Sequence, residues 1–190
     1  ARLEREWAVP LRRIANTDLL ANAKEVGDLV RVAKLDHANR AELARLGFTA
    51  DSFHFEPESL EGNQLTKVVP LNTYIRQHRA LAVLTAIRWD EHEARAAETF
   101  FSPRPEPPHT RVHPILPFSE RNVWQAIHGL EIPYCQLYSI GYRSLGARYN
   151  TLPVDSVPAW EQDLENTSER QGRGQGKEQM MHRLRDLGYI

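Results

Sequence analysis

The feature that most constrains the fold is an alternation of short apolar runs with helical patterns in the middle of the chain. Residues 80–87 form a continuous apolar run short enough for a buried strand, and residues 112–116 form a second extended run. Residues 91–100 have the composition of a helix, and Ser119 is placed to cap another. This alternation predicts an α/β layered fold, with a parallel sheet and flanking helices.

The remaining segments are assigned from the same signals. We expect a short strand at 11–14, a turn or cap at 16–18, helices at 29–46, 65–80 and 177–187, and a proline-rich loop at 103–108. Residues 161–176 are polar and are predicted to contribute nothing to a core. We therefore divide the chain into an α/β domain at 1–150 and a polar linker with a C-terminal helix at 151–190.

Composition limits the classes of partner. The 190 residues carry 24 basic and 25 acidic side chains, so a net charge of -1 favours neither a nucleic-acid nor a membrane partner, and any anion site must be built locally. The single cysteine, Cys135, excludes an internal disulfide and a multi-cysteine metal site, and His109 and His113 lack further convergent ligands, so we assign no metal site. The absence of a long apolar run and of a signal-peptide pattern predicts a cytoplasmic protein.

Charged residues follow the first apolar run, where a parallel sheet places its ligands. Arg88 could bind a phosphate, and Asp90 or Glu91 could hold a metal-bound water or a ribose. Arg95 lies one helical turn later and could point the same way. The alternative is a local ion-pair network of Asp90 or Glu91 with Arg95 on a solvated face.

Two further segments combine arginine with features that suit anion binding. Arg111 stands at the start of the second apolar run, where it could bind an anion. The alternative is that Arg111 is an ordinary residue at the edge of a strand. Arg143 and Ser144 lie in a glycine-flanked loop, 141–146, whose backbone N–H groups could bind an anion. The alternative for this loop is a plain turn.

The C-terminal stretch adds two more arginines. Arg170 and Arg173 lie in a glycine-rich polar segment next to the last predicted helix. This segment could close over phosphates, and a flexible tail is the alternative.

Taken in order, these segments resemble the superfamily of phosphoadenylylsulfate reductases and sulfate adenylyltransferase small subunits. The matching motifs are Arg-x-Asp-Glu at 88–91, Ala-Arg-Ala at 94–96, Phe-Ser at 101–102, Arg-Val-x-Pro-Ile at 111–115, Val-Trp at 123–124, Ile-Pro-x-x-x-Leu-Tyr at 132–138 and Gly-Tyr-x-Ser-Leu-Gly at 141–146. The resemblance implies an adenine-nucleotide alpha-hydrolase-like (Rossmann-like) fold, in which 1–150 is the C-terminal portion of a nucleotide-binding domain and 151–190 closes on its site. It also matches Lys67 to the lysine that opens a helix ahead of the Arg-x-Asp-Glu strand.

Two departures from the superfamily pattern restrict the fold and the reaction that we expect. The Ser-Gly-Gly-Lys-Asp-Ser loop that grips ATP phosphates is not in this chain, so we expect an N-terminally incomplete fold or a degenerate relative. The reductase cysteines are also lacking, because Ala147 follows the Leu-Gly pair, so neither thiol-based reduction nor an iron–sulfur cluster is expected. By contrast, residues 167–173 resemble the tail of the sulfate adenylyltransferase small subunit. Residues 132–138 and 148–151 resemble eukaryotic-type FAD synthases.

The resemblance therefore implies adenylyl transfer from ATP to an oxyanion, with sulfate as the first acceptor and release of pyrophosphate. It assigns Arg88, Arg111 and Arg143 as catalytic residues. Nucleotide or anion binding falls to Lys67, Asp90, Glu91, Arg95, Ser144, Arg170 and Arg173. ATP and Mg²⁺ are the expected cofactors, and a GTPase large subunit or a second copy of the chain is the expected partner. The alternatives are FAD synthase-like transfer to FMN and a non-catalytic module that binds a nucleotide or a partner.

Overall fold

The computed structural model describes residues 2–173 and 180–187. In that part of the chain the α-helices are α1 (Arg2–Trp7), α2 (Thr17–Asn22), α3 (His37–Arg45), α4 (Leu60–Asn63), α5 (Val69–His78), α6 (Glu120–Gly129) and α7 (Met181–Asp186). A π-helical turn, Gln64–Val68, joins α4 to α5 and makes one continuous helical segment. This segment confirms the helix expected at 65–80, although it begins earlier.

Two small sheets accompany the helices. Strand β1 (Leu29–Arg31) pairs antiparallel with β2 (Ser52–His54). In the second sheet, β3 (Ala82–Leu84) runs parallel to β5 (Pro108–Val112), and β4 (Phe101–Pro105) pairs antiparallel with β5, in the order β3-β5-β4. The fold is therefore mixed α/β, as expected, but parallel pairing is limited to β3 and β5 among the described residues.

The proline-rich loop expected at 103–108 is instead the turn of a β-hairpin together with the adjoining strand residues. Pro103 and Pro105 lie in β4, which is an edge strand and can lack backbone donors on one side. Pro108 is the first residue of the central strand β5, the other position that accepts proline. Four prolines exclude a helix here, but they do not exclude a strand at an edge.

The helix expected at 91–100 is wrong. Two single 3₁₀ turns, Trp89–Glu91 and Glu93–Arg95, take its place. His92 between them is extended, and its Nδ1 atom accepts a hydrogen bond from the Ala94 N–H at 3.0 Å. Helix propensity is a weak preference, and the contacts of this segment with the rest of the protein override it.

The N-terminal expectations are partly confirmed. Asn16 caps α2 by accepting from the Leu19 N–H at 3.0 Å, but no strand forms at 11–14. The helix expected at 29–46 is split, because β1 occupies its start and Asp36 caps α3 through the Asn39 N–H. A capping aspartate inside an apolar pattern marks a helix start, and that signal was missed.

Two apolar clusters hold these elements together. The first combines Leu19, Ala23, Val30, Leu35, Leu43, Phe55 and Leu65. The second joins Leu60 and Ala94 to Met181 and Leu184 of α7. The predicted C-terminal helix is thus present at Met181–Asp186, whereas residues 177–179 lie outside the described residues. Its packing places α7 against the 3₁₀ turn that carries Ala94 and Arg95. The division at residue 150 stays a prediction. Among the described residues, no helix is both long and apolar enough to cross a bilayer.

Candidate functional site

Arg88 is the centre of an ion-pair network that begins just beyond β3. Its Nε donates to Asp90 Oδ1 at 3.0 Å, and its Nη2 donates to Glu169. The other oxygen of Asp90 accepts from the Glu120 N–H at 2.7 Å, at the N-terminus of α6. Asp90 therefore couples Arg88 to a helix start, where a carboxylate is favoured by the unpaired N–H groups. Ser119 caps the same helix, as expected, in a reciprocal pair with Asn122.

Arg143 is buried, with 2% of its surface exposed, and each of its nitrogens contacts a protein acceptor. Its Nε and Nη2 donate to the Glu120 carboxylate at 2.7–3.1 Å. Nη1 donates to the Asp163 carbonyl at 3.0 Å and to the Thr167 hydroxyl, and Nη2 donates to the Thr167 carbonyl at 3.1 Å. Arg143 thereby joins its glycine-flanked loop, the start of α6 and the polar tail.

The tail is bound to the body of the protein rather than extended into solvent. Glu91 accepts from Arg95 Nη1 with one oxygen and faces Arg170 Nη1 at 3.5 Å with the other. Arg170 is 4% exposed and also contacts the Met181 sulfur at 3.8 Å. No residue of 161–173 belongs to either apolar cluster, as expected, but Arg170 is buried because Glu91 supplies a partner for its charge.

These segments enclose a cleft of about 470 Å³, which we call the arginine cleft. Its charged lining residues are Glu58, Lys67, Glu91, Arg95, Arg170 and Arg173, and the backbone of 145–147 completes the wall. Four cationic groups thus face two carboxylates. Such an excess of guanidinium and ammonium groups suits a phosphate or sulfate.

The structure places five of the seven residues predicted to bind the anion in one cleft, brings Arg88 and Arg143 together at the start of α6, and leaves Arg111 elsewhere. Lys67, Glu91, Arg95, Arg170 and Arg173 line the arginine cleft. Ser144 lies behind Arg173 and accepts from its Nε at 2.6 Å. Arg88, Arg143 and Asp90 are not among the lining residues. Arg111 lines a different pocket, between the sheet and the helices.

Carboxylates are the site residues that the sequence analysis missed. Glu120 and Glu169 are the partners of Arg143 and Arg88, and Glu58 lies 4.0 Å from Lys67 across the cleft wall. The sequence does contain a signal for Glu120, because an acidic side chain directly after a capping serine is favoured at a helix N-terminus. Glu169 had none, because its partner lies 81 residues earlier in the chain.

Burial raises the pKa of Glu169 to about 7; Arg88 opposes that rise, and the nearby charges of Glu120 and Glu91 add to it. In the unfolded chain the same carboxyl titrates near 4.5. Between these values the folded protein binds a proton that the unfolded chain has lost. Stability from this group is therefore present at low pH and is lost as the pH rises through 7.

We expect Glu169→Gln to remove that titration. The wild type should lose stability as the pH rises through this range, and the variant should not. The difference in the free energy of unfolding, variant minus wild type, should therefore rise by about 2 kcal/mol between about pH 5 and pH 8. Urea unfolding of both proteins at several pH values measures this difference. Parallel stability curves would contradict the assignment, and Glu165→Gln, at an exposed carboxylate paired with Arg121, is the matched control.

Comparisons with known proteins identify the family of this α/β domain. Residues 17–153 match the family model of the phosphoadenosine phosphosulfate reductase domain. A probable FAD synthase from Caenorhabditis elegans is 52% identical over 42 residues, which are 22% of this chain and 8% of that protein. An adenosine 5′-phosphosulfate reductase from Salinibacter ruber is 28% identical over 99 residues, which are 52% of this chain and 38% of that protein.

Among solved structures, the FMN adenylyltransferase of Candida glabrata in complex with FMN and the ATP analog AMPCPP superposes with a TM-score of 0.44 and 21% identity. The superposition covers 72% of this chain and 48% of that one. The chain thus spans less than half of the length of each of these three proteins.

Proposed function

Because this chain belongs to the phosphoadenosine phosphosulfate reductase domain family, we propose that its arginine cleft binds a phosphate group and that the domain serves adenylyl transfer. One observation carries the proposal. Lys67 from the π-helical turn, Arg95 from the loop after β3, and Arg170 and Arg173 from the tail converge on one cleft. Charges from three distant segments meet at one place most readily when a common anion is the reason for their convergence. The sheet and its helices would then be part of an adenine-nucleotide alpha-hydrolase-like fold.

FMN is the first acceptor to test, ahead of the sulfate expected from sequence. The probable FAD synthase supports FMN through its 52% identity over 42 residues, whereas no relative reported above supports sulfate specifically. The match to an adenosine 5′-phosphosulfate reductase raises reduction as another candidate. Reduction by a protein thiol needs a cysteine at the substrate, and Cys135, which is exposed, is not among the residues that line the cleft.

In adenylyl transfer an acceptor oxyanion attacks the α-phosphorus of ATP, and pyrophosphate leaves. The work of the protein is then to hold and neutralise oxygen charge. Lys67, Arg95, Arg170 and Arg173 are the residues that would do so, and Glu91 would fix two of the guanidinium groups relative to each other. Arg88 and Arg143 act as positioning residues, because each anchors the tail through its own carboxylate-linked contacts.

Magnesium is expected to accompany ATP. Within 2–173 and 180–187, no three His, Cys, Asp or Glu side chains are grouped so as to hold a metal ion. The described residues thus offer no dedicated protein cage, and a Mg²⁺ bound through nucleotide phosphates and water is the form that fits them. A GTPase large subunit or a second copy of the chain stays a proposal for the partner.

Flavin fluorescence titration tests the cleft directly. We expect FMN to bind at least about tenfold more tightly than riboflavin, because each charge-assisted hydrogen bond to the phosphate contributes about 1.5–3 kcal/mol. Arg173→Gln should remove about tenfold of the FMN affinity and leave riboflavin binding unchanged. Arg12→Gln, at an exposed arginine that lines neither pocket, is the matched control for charge.

Formation of FAD from FMN and ATP, followed by chromatography, then tests the reaction. Sulfate binding that depends on Arg173, without FMN binding, would reassign the acceptor to sulfate. Absence of binding for both anions would overturn the proposal and leave a non-catalytic interaction module as the function of the domain.

A further inference from the structure

A second pocket of about 300 Å³ lies between the three-stranded sheet and helices α3, α5 and α7. We call it the sheet pocket. Its basic lining residues are Arg45, Arg76, Arg104, His109 and Arg111. No residue lines both this pocket and the arginine cleft.

The register of the β4–β5 hairpin places the inner basic groups together. His109 and Arg111 are two residues apart in β5 and therefore project from the same face of the sheet. Arg104 of β4 lies directly opposite His109, and Ser102 lies opposite Arg111. Three basic side chains are thus neighbours on one face through strand geometry alone.

Four arginines and three carboxylates, those of Glu42, Glu106 and Asp186, line the sheet pocket. At its rim, Arg45 pairs with Glu42 and Arg76 pairs with Glu106, each at 2.6 Å. Farther in, Glu98 is the carboxylate nearest Arg104, at 3.6 Å, and it also faces His113 Nε2 at 3.8 Å. Burial, followed by repulsion from Arg104, lowers the pKa of Arg111 to about 10 in spite of the attraction of Glu98. An added anion would relieve this repulsion.

His109 supplies an independent sign of a ligand. Its side chain is 8% exposed, and its Nδ1 atom lies 2.7 Å from the Pro107 carbonyl oxygen. A carbonyl only accepts, so Nδ1 carries the hydrogen, and the Nε2 atom of the neutral ring is an acceptor. Within the part of the chain that the structure describes, this buried Nε2 has no hydrogen-bond partner, and the same holds for the buried Arg104 Nε. Buried polar atoms are satisfied in the great majority of cases, so an unmet donor and an unmet acceptor in one pocket call for a ligand that supplies both.

We propose that the sheet pocket binds inorganic phosphate as hydrogenphosphate, with its oxygens accepting from Arg104 and Arg111 and its O–H donating to His109 Nε2. This site goes beyond the proposed function, which uses the arginine cleft. The pocket volume lies at the small end of the range for ligand sites and is large enough to admit hydrogenphosphate. Hydrogenphosphate carries the proton that His109 accepts, whereas sulfate at neutral pH carries none. The site should therefore prefer phosphate to sulfate.

Isothermal titration calorimetry of the full chain with inorganic phosphate, sulfate and AMP tests the site. We expect phosphate to bind at least about tenfold more tightly than sulfate, and Arg104→Gln and His109→Asn each to weaken phosphate binding about tenfold or more. Asparagine keeps a donor to the Pro107 carbonyl and removes the Nε2 acceptor. Glutamine places an amide oxygen near the Nε2 position, so His109→Gln should retain part of the affinity. Arg173→Gln and Arg12→Gln should leave this binding unchanged.

The outcomes separate this site from the arginine cleft. Phosphate binding lost with Arg173→Gln and kept with Arg104→Gln would place the ion in the arginine cleft and overturn the proposal. Equal affinities for sulfate and phosphate, or tighter binding of AMP than of inorganic phosphate in Arg173→Gln, would also overturn it. A thermal-shift measurement of each variant without ligand confirms that a lost signal reflects binding and not unfolding.

Discussion

Replacing Arg143 with methionine should lower the free energy of unfolding by about 3–5 kcal/mol, because Glu120 would be left buried and charged without its partner. The guanidinium also satisfies the Asp163 and Thr167 carbonyls, which would lose their donors. Urea unfolding measures the change. FMN affinity should fall as well, since the tail that carries Arg170 and Arg173 would lose its main anchor.

Two controls separate burial from charge in this result. Arg121→Met breaks another arginine–glutamate pair, but that pair is more than half exposed and screened by solvent, so a much smaller loss of stability is expected. The double variant Arg143→Met with Glu120→Met should recover part of the lost stability, because it removes the unpaired buried charge. Similar losses for Arg143→Met and Arg121→Met would show that Arg143 is not the anchor.

Gly141→Ala should destabilise the protein by about 3 kcal/mol or more. Gly141 has a φ of +90°, a conformation that side chains other than glycine adopt at a cost of about 1–2 kcal/mol. An added Cβ would also lie 1.8 Å from the Asp155 carbonyl oxygen, a backbone atom that cannot move away alone. The Gly141 carbonyl accepts from the Val154 N–H at 2.8 Å and from the Gln162 side chain at 3.2 Å, so any shift would disturb these contacts as well.

Gly129→Ala is the matched control for this substitution. Gly129 ends α6 without a positive φ, and an added Cβ there would meet nothing within 4 Å. Alanine in a helix is favoured over glycine by about 1 kcal/mol, so this variant should be as stable as the wild type or slightly more stable. Thermal unfolding of the two variants gives the comparison, and equal melting temperatures would contradict the role of Gly141.

Signals confined to a few residues predicted local structure well. The caps at Asn16 and Ser119 and the helix at Met181–Asp186 are present because a capping side chain or an apolar stripe acts within one or two turns. The 91–100 segment shows the limit of such signals. Its composition favours a helix, but Trp89 donates to the Glu98 carbonyl across the segment, and Arg95 is buried against Glu91.

The grouping of the charged residues was predictable only in part. Arg95, Arg170 and Arg173 meet in one cleft, as the order of motifs indicated, but their function stays a proposal. Side chains alternate between the two faces of β5, so Arg111 lies on the same face as His109. This alternation does not reveal which pocket lies against that face. The burial of Arg170 could not be predicted from the sequence for a similar reason. A polar composition predicts exposure unless the distant partner, Glu91, is known.

The polar tail also sets the order in which the site can be completed during synthesis. Arg88 is translated 81 residues before Glu169, so at about 5–20 residues per second its guanidinium waits roughly 4–16 s for this partner. Water must hydrate Arg88 during that interval, and Arg143 likewise lacks the acceptors of 163–167 until they emerge from the ribosome. The sheet and the first apolar cluster can form beforehand, whereas the arginine cleft closes only when the tail arrives. A nascent domain would therefore form its sheet and first apolar cluster before its arginine cleft.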